Sequence, residues 1–316
     1  MGPDHTPAPN DPLWPRAAGW LVRRDPDSLP RCDLALLGVP AHATSISPTG
    51  AHTTPAAIRE ALNRYSTYAA SHDVDVATLS AFDCGDVTSP DGPSGEARVT
   101  AAAAQIAQNC RLLVALGGDN SITHSVMRGV FSEGLEGCGL ITVDAHHDLR
   151  DGVSNGSPVR RLVEAGLPGS NIVQIGIADF SNSPAYAARA REYGITVVTR
   201  ADLREADLTG IVRRALDIAG GGGRPVFVDL DVDVCDRAAV PGCPAAAPGG
   251  ISADELRQLA FLFARDTRVR AMDITEIDAT VDANDGRTVR LAALIVLEAA
   301  AGLALREEHP AGTILV

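Results

Sequence analysis

The chain has 316 residues, 45% of them hydrophobic, and a formal net charge of −13. Nucleic acid is an unfavourable partner for so acidic a protein because nucleic-acid binding requires a basic face. The longest apolar runs are shorter than the roughly 18 residues needed to cross a bilayer, and residues 1–10 lack the basic and apolar segments of a secretory signal. These features predict a soluble, cytoplasmic protein without a membrane partner.

Strand and helix patterns alternate along most of the chain. Residues 1–30 are rich in proline and predict an irregular N-terminal extension, followed by a single α/β catalytic domain at residues 31–316. The predicted strands are 34–39, a strand ending at 83–86, 112–116, 140–143, 172–177, 195–198, 226–230 and 269–274; the predicted helices are 56–65, 97–109, 160–165, 184–193, 210–218, 253–265 and 289–303. This alternation predicts a three-layer αβα fold with a mostly parallel central sheet and a site at the carboxyl ends of the strands.

Acidic residues with a spacing of two follow two of the predicted strands. Asp144, His146 and Asp148 follow one apolar run, and Asp231 and Asp233 follow another. In extended backbone, alternate side chains leave on one face, so each set converges on one point. A single such motif could be a turn former or a helix cap. Two sets of unpaired acids would repel one another without a cation, and they therefore predict a binuclear metal site.

Two further strand ends carry polar residues, Asp119 with Asn120 and, later in the chain, Glu276. Carboxylate-dominated ligation with a single imidazole suits Mn²⁺, whereas structural zinc sites prefer Cys and His. Two Mn²⁺ ions about 3.5–4 Å apart can activate a shared water for hydrolysis. Asp148 is then the predicted base, and Glu276 can pair with a cationic group of the substrate.

Four motifs together resemble the signature blocks of the ureohydrolases, the group of arginases, agmatinases and formimidoylglutamases. The blocks are GlyGlyAspAsnSer at 117–121, AspAlaHisHisAsp at 144–148, AspValAsp at 231–233 followed by ValProGly, and ThrGluIleAsp at 275–278. The resemblance extends over nearly the whole chain from Leu34 onward. It implies an arginase-like αβα fold, two Mn²⁺ ions and hydrolysis of a C–N bond in a guanidine or an amidine.

The resemblance also implies which residues bind the metal. Asp144 and Asp231 would bridge both ions, His146 and Asp233 would complete one ion, and Asp148 would complete the other. Most of the family has His at the position of Asn120, so the amide oxygen of Asn120 is the implied ligand here. The ion near Asn120 is accordingly expected to bind more weakly.

The loop after the second block favours the formimidoylglutamase branch. Asn155 stands where arginases and agmatinases have His, and that branch lacks this His as a rule. Leu149 and Arg150, and the segments 155–162, 174–183 and 241–245, are similar to Bacillus-type formimidoylglutamases. The resemblance implies hydrolysis of N-formimidoyl-L-glutamate to L-glutamate and formamide, a step of histidine degradation, by an enzyme that forms a trimer or hexamer.

A substrate with two carboxylates requires a local cluster of arginines because the overall field of the protein is negative. The chain contains no lysine, so all 27 basic residues are Arg. Arg150, Arg160 and Arg161 lie close to the metal motif, and Arg150 is the first candidate for carboxylate binding. Arg160 and Asn155 are further predicted substrate-binding residues.

Two other functions fit the same sequence. An agmatinase-like or other guanidino-acid hydrolase would use the same metal core and release urea. A catalytically inactive arginase-fold binding protein would have kept the fold after losing the ligand His at position 120. Substrate turnover distinguishes the first from a formimidoylglutamase, and metal content distinguishes the second.

Overall fold

A nine-stranded sheet is the centre of the fold in the computed structural model, which describes residues 11–205 and 207–306. Its strands are β1 (Val22–Arg23), β2 (Cys32–Val39), β5 (Ala81–Asp86), β6 (Cys110–Gly117), β7 (Gly139–Val143), β8 (Ile172–Ile177), β9 (Thr196–Thr199), β10 (Val226–Asp231) and β11 (Val269–Thr275). Their order is β1-β5-β2-β6-β11-β10-β7-β8-β9, and all neighbouring pairs are parallel. Strands β3 (Tyr68–Ala69) and β4 (Val74–Asp75) form a separate antiparallel pair.

Helices cover both faces of the sheet and bury two separate apolar cores. One face is covered by α1 (Thr54–Ala61), α6 (Arg200–Glu205), α7 (Leu208–Ala219), α8 (Ala253–Arg265) and α9 (Arg287–Ala304). The other is covered by α2 (Gly92–Ala107), α3 (Ile122–Val130), α4 (Pro158–Glu164) and α5 (Pro184–Tyr193). Parallel strands buried on both faces are expected to be mainly apolar, as the central strand β7 is, with all five of its residues buried. The predicted three-layer αβα fold is confirmed.

The predicted strands and helices are all present, with ends shifted by a few residues. The sequence prediction missed α3, which follows directly after Asn120 and buries Ile122, Val126 and Met127. The predicted irregular extension contains β1 at one edge of the sheet. The division into an extension and one domain stays a prediction, and residues 1–10 and 307–316 lie outside the described residues.

The cysteines and the helices agree with what the sequence predicts about disulfides and membrane spans. All six cysteines are free and buried, as their spacing predicted. Within the described part of the chain, no helix has both the length and the apolar character needed to span a membrane.

Four adjacent strands position the polar residues at the carboxyl edge of the sheet. These strands are β6, β11, β10 and β7, which occupy the middle of the sheet order. The last residues of β10 pair with the last residues of β7 and β11, so the strands end at the same level. Parallel sheets place ligands at this edge, and the sequence places its acidic motifs on the loops that follow these strands.

Gly118 allows the loop after β6 to pass close to the loop after β2. A Cβ atom at this position would lie 2.1 Å from the carbonyl oxygen of Ala41, while the carbonyl of Gly118 accepts a hydrogen bond from the backbone of Glu276. We therefore expect Gly118→Ala to lower the free energy of unfolding by about 2–3 kcal/mol, because two backbone segments would have to separate. Urea unfolding followed by circular dichroism measures the change. Gly137→Ala is the control, since a Cβ atom at Gly137 meets nothing within 4 Å; equal stability of both variants would contradict the prediction.

Candidate active site

Asp144, His146 and Asp233 form a compact group at the ends of β7 and β10. Nδ1 of His146 lies 2.7 Å from Oδ2 of Asp233 and 3.5 Å from Oδ1 of Asp144. One potential ligand atom from each of the three residues lies within 4.8 Å of the other two. The backbone fixes these carboxylates, because the amides of His146 and Ala145 donate to Asp144 and Asp233 at 2.6 and 3.1 Å. The group has the donor types and the spacing to bind a divalent cation.

Asp231, Asp148 and Asn120 extend this group across the sheet edge. Oδ1 of Asp231 accepts a hydrogen bond of 2.8 Å from the backbone of Asp233. The side-chain amide of Asn120 donates to Oδ2 of Asp148 at 2.5 Å. The amide oxygen of Asn120 accepts hydrogen bonds from the hydroxyls of Thr123 and Thr275, at 2.8 and 3.1 Å. The structure therefore brings all six sequence-predicted metal ligands together. It differs from the expectation at Asn120, because the NH₂ group faces the carboxylates and the amide oxygen, the implied ligand atom, is bound by the two threonines.

The electrostatics of the acidic residues depend on burial and mutual repulsion. Burial, together with Asp233, raises the pKa of Asp144 to about 6. Burial and the neighbouring Asp144 raise the pKa of Asp148 well above its ordinary value, and burial and Asp233 do the same for Asp231. Burial alone would also raise the pKa of Asp233, but the adjacent His146 cation holds it below its ordinary value. A cation bound among these carboxylates would relieve the repulsion that raises their pKa values.

An unpaired oxygen atom supports the same interpretation. Oδ2 of Asp144 is fully buried and has no hydrogen-bond partner among the described residues. A buried carboxylate oxygen without a partner is costly, since it has lost its hydration without compensation. The residues present at this sheet edge therefore fit a bound divalent metal.

Glu276 lies at the end of β11, next to the acidic group. Its Oε1 accepts hydrogen bonds of 2.8 Å from the backbone amide of Asn120 and from the side-chain amide of Asn155. Burial, and then the charge of Asp119, raises the pKa of Glu276 to about 7, although both amides favour its ionised form. Asn155 thus contacts Glu276 directly and holds its carboxylate in place.

Two of these acidic residues have strained backbones. Asp148 has φ 54° and Glu276 has φ 63°, in the left-handed region that non-glycine residues rarely occupy. Such conformations persist only where the surrounding contacts hold them, and they concentrate at functional sites. Glu276 directly follows β11, and Asp148 lies in the loop after β7, so both strained residues belong to the loops that form the site.

A pocket of about 480 Å³ opens onto this group. The sequence-predicted residues that line it are His146, Asp148, Arg150, Asn155, Asp231, Asp233 and Glu276. The opposite wall comes from the segment after β8 and the first turn of α5, with Ser181, Asn182, Ser183 and Tyr186. Arg150 is the single arginine among the lining residues, whereas Asn120 and Asp144 lie beneath the surface of the pocket.

The other two arginines near the motif do not line the pocket. The guanidinium of Arg160 binds backbone carbonyl groups of the loop and the carboxylate of Glu164. Arg161 forms a two-point ion pair with Glu96, at 2.9 and 2.6 Å. Direct contact of Arg160 with a substrate in the pocket is therefore not supported by its placement, because its donors are committed to the protein.

Sequence reasoning assigned no role to several residues that shape this site. Asn182 accepts a hydrogen bond of 3.0 Å from the backbone of His147 and donates one of 2.9 Å to the carbonyl of Ala145. It therefore holds the metal motif against the far wall of the pocket. The sequence of the segment Phe180 to Ser183 is similar to that of formimidoylglutamases, and this similarity is the signal that could have identified Asn182.

A second pair of acids lies one layer below the site. Asp229 and Asp273 face one another on β10 and β11, two residues before Asp231 and Thr275, and both are fully buried. Burial raises the pKa of Asp273 to about 7, and burial with the charge of Asp273 raises that of Asp229 well above its ordinary value. The hydroxyl oxygen of Thr123 lies 2.8 Å from Oδ2 of Asp273 and 2.8 Å from the amide oxygen of Asn120, so it links the two residues. The polar network thus continues into the sheet.

Comparison with known proteins identifies the family. The arginase family model matches residues 32–302 of this chain. The chain therefore belongs to the arginase family, in agreement with the αβα fold and the acidic sheet edge.

Individual relatives point to one branch of the family. A formimidoylglutamase of Halalkalibacterium halodurans is 38% identical over 271 residues, which cover 83% of this chain and 84% of that protein. The crystal structure of formimidoylglutamase from Bacillus subtilis superposes with a TM-score of 0.88 at 31% identity, covering 96% of each chain. A structure of Trypanosoma cruzi formiminoglutamase with Mn²⁺ has a TM-score of 0.84, covers 93% of this chain and all of that one, and at 24% identity shows the shared fold alone. The predicted arginase-like fold and the family resemblance are confirmed.

The pH dependence of the metal-free protein provides a test of the acidic group. Glu276 and Asp273 have folded-state pKa values raised to about 7, and His146, despite its burial, has one raised to about 12 by Asp233 and Asp144. Between about pH 6.5 and about pH 8.5 the folded chain therefore holds more protons than the unfolded chain, so its stability falls as the pH rises. We expect the melting temperature of the metal-free protein to decrease across this range.

Added Mn²⁺ should remove part of this loss, because the cation replaces the protons that the carboxylates would otherwise need. The difference in melting temperature between the loaded and the metal-free protein should therefore widen towards about pH 8.5. Differential scanning fluorimetry measures it. A difference that narrows with rising pH would show that the acidic group does not bind the metal.

Proposed function

We propose that this arginase-family chain is a formimidoylglutamase, which hydrolyses N-formimidoyl-L-glutamate to L-glutamate and formamide. The observation that carries the proposal is the composition of the pocket wall. Part of the wall consists of buried carboxylates, including that of Glu276, and another part contains Arg150, the single arginine among the lining residues. This arrangement matches a substrate with a cationic amidine at one end and two carboxylates at the other. The relatives named formimidoylglutamase support the same assignment.

The metal centre is proposed from the donor set. Two Mn²⁺ ions would be held by carboxylates and a single imidazole, which is the ligand chemistry that this ion prefers. The proposed ligands are Asp144, His146, Asp148, Asp231 and Asp233, with Asn120 on the side of the weaker ion. Manganese bound there would supply water activated for attack at neutral pH.

The residues of the chain would orient the substrate and move protons. Glu276 would pair with the amidinium, and this contact would favour the ionised form of a carboxyl whose pKa is otherwise raised to about 7. The oxygen of water adds to the amidine carbon, and the bond from that carbon to the glutamate nitrogen then breaks, which releases formamide and glutamate. Asp148, which lines the pocket, would carry the proton of the water to the leaving nitrogen.

Arg150 and Asn155 would determine where the substrate sits. Arg150 would bind a substrate carboxylate through a two-point contact, for which its planar guanidinium is suited. Asn155 holds the Glu276 carboxylate that would receive the amidine. The cytoplasmic location and the homo-oligomeric state stay predictions.

A substrate panel tests the proposed activity. Purified protein loaded with Mn²⁺ should hydrolyse N-formimidoyl-L-glutamate and should leave agmatine, arginine and guanidinobutyrate essentially unchanged. Glu276→Gln should lower kcat/KM by about 100-fold or more, because it removes the charge opposite the amidinium. Glutamate release measured by a coupled dehydrogenase assay gives the rates. Turnover of a guanidine but not of the formimidoyl compound would instead favour a guanidino-acid hydrolase.

Metal stoichiometry tests the ligand assignment. Asn120→His should bind the weaker Mn²⁺ ion about tenfold more tightly, since an imidazole replaces an amide that now donates to Asp148. Competition with a fluorescent chelator, together with elemental analysis, measures both affinity and stoichiometry. Unchanged affinity would exclude Asn120 from the metal site. Less than one Mn²⁺ per wild-type chain, with no activity on the panel, would favour an inactive binding protein.

A further inference from the structure

The loop that carries Arg150 is fixed by Arg160. This arginine, at the start of α4, donates from Nε to the carbonyl of Arg150 at 2.6 Å and from Nη2 to the carbonyl of Gly152. Its backbone amide also donates to the carbonyl of Asp148, at 3.2 Å. The side chain of Arg160 is only 11% exposed. A single residue therefore holds three carbonyl groups between positions 148 and 152.

Arg189 fixes the same loop from the opposite side. It lies on α5, and its Nη1 donates to the carbonyl of Leu149 at 2.6 Å and to the carboxylate of Asp151 at 2.8 Å. These two contacts lie directly before and directly after Arg150 in the chain. Together, Arg160 and Arg189 bind a carbonyl or a side chain at every position from 148 to 152, and we call this pair the arginine clamp.

Gly156 leaves the space that the Arg150 side chain occupies. The backbone amide of Arg150 donates to the carbonyl of Gly156 at 2.9 Å. A Cβ atom at position 156 would lie 2.7 Å from Cδ and 3.1 Å from Nε of Arg150. The Arg150 side chain thus lies across the bare backbone of a glycine, in a space that any larger residue would fill.

Charge pairing distinguishes Arg150 from the two clamp arginines. Arg160 forms an ion pair with Glu164 at 2.5 Å, and Arg189 forms one with Asp151 at 2.8 Å. Within residues 11–205 and 207–306, the guanidinium of Arg150 has neither an ion pair nor a hydrogen bond, and Arg150 is one of the residues that line the pocket. The clamp arginines are compensated within the protein, and Arg150 is the cation left for an external anion.

We propose that Arg160 and Arg189 are positioning residues that hold Arg150 ready to bind the anionic end of a dicarboxylate substrate. This inference rests on the proposed function and deepens it, because it names the device that gives the site its preference for an anionic substrate. A guanidinium with its donors fixed in a planar fork is well suited to hold several carbonyl groups of a turn at once. A loop ordered before binding loses less conformational entropy when the substrate arrives.

The clamp should therefore act on substrate binding and not on the chemical step. An interaction made equally in the ground state and in the transition state changes KM and leaves kcat unaltered. Arg150→Met should raise KM for N-formimidoyl-L-glutamate about 100-fold, as expected for the loss of a two-point charged contact. Arg160→Met and Arg189→Met should each raise KM about 5- to 20-fold, with kcat and bound Mn²⁺ within about twofold of wild type.

A substrate without carboxylates separates positioning from a general structural role. N-Propylformamidine keeps the amidine but has no carboxylate, so its kcat/KM should be the same for the wild type and for both clamp variants. The double variant Arg150→Met/Arg189→Met should be no worse than Arg150→Met alone, because the clamp acts only through Arg150. Arg191→Met is the matched control on the same helix; Arg191 is exposed, has no ion pair among the described residues, and should behave as wild type.

Gly156→Ala provides an independent test if a clamp variant fails to fold. It should displace the Arg150 side chain without changing either clamp arginine. It should therefore raise KM for N-formimidoyl-L-glutamate and leave kcat/KM for N-propylformamidine unchanged. An unchanged KM in folded clamp variants, or an equal loss of kcat/KM on N-propylformamidine, would overturn the clamp alone. Absence of wild-type turnover of N-formimidoyl-L-glutamate would overturn the proposed function and the inference with it.

Discussion

Repulsion among buried carboxylates is the constraint on which the rest of this structure depends. Four adjacent parallel strands end at the same level, and each continues into a loop that carries acidic or amide groups. Such a concentration of acids is unfavourable unless cations or protons compensate it. The sheet tolerates it because α-helices bury both faces and backbone amides fix several of the carboxylates. Stability is thus given up locally for a site that favours a divalent cation.

The fold and the acidic centre could be predicted because their signals are local in sequence. Buried parallel strands are continuous apolar runs, and their alternation with helical periodicity defines the layers without knowledge of any contact. Asp144 and Asp231 were predicted from a spacing of two after such runs, a pattern set by the geometry of extended chain. The same reasoning missed α3, whose first residues follow directly from the polar loop at Asn120, so its buried apolar positions were few and close to a motif already interpreted.

The walls of the pocket could not be predicted because they depend on contacts between distant segments. Asn182 and Tyr186 meet the metal motif only after β8 and α5 have packed beside β7. The position of Arg160 close to Arg150 in the chain suggested a shared role in binding carboxylates, but Arg160 binds the carbonyl groups of Arg150 and Gly152 instead. Sequence position indicated that Arg150 and Arg160 lie near the site. Only the path of the backbone shows that Arg150 lines the pocket and that Arg160 binds the loop.

The negative charge of the whole protein explains why the difference between Arg150 and the clamp arginines matters. A net charge of −13 favours the approach of Mn²⁺ and of an amidinium but opposes a dicarboxylate. At physiological ionic strength the field of distant charges is screened beyond about 8 Å, so a carboxylate inside the pocket responds mainly to the groups that line it. Of the arginines next to the metal motif, Arg160 and Arg189 are neutralised by their own acidic partners. In the proposed site, the preference for an anionic substrate would therefore depend on the one uncompensated guanidinium of Arg150. Such a single charge would have to be held in position by groups that do not themselves bind the substrate.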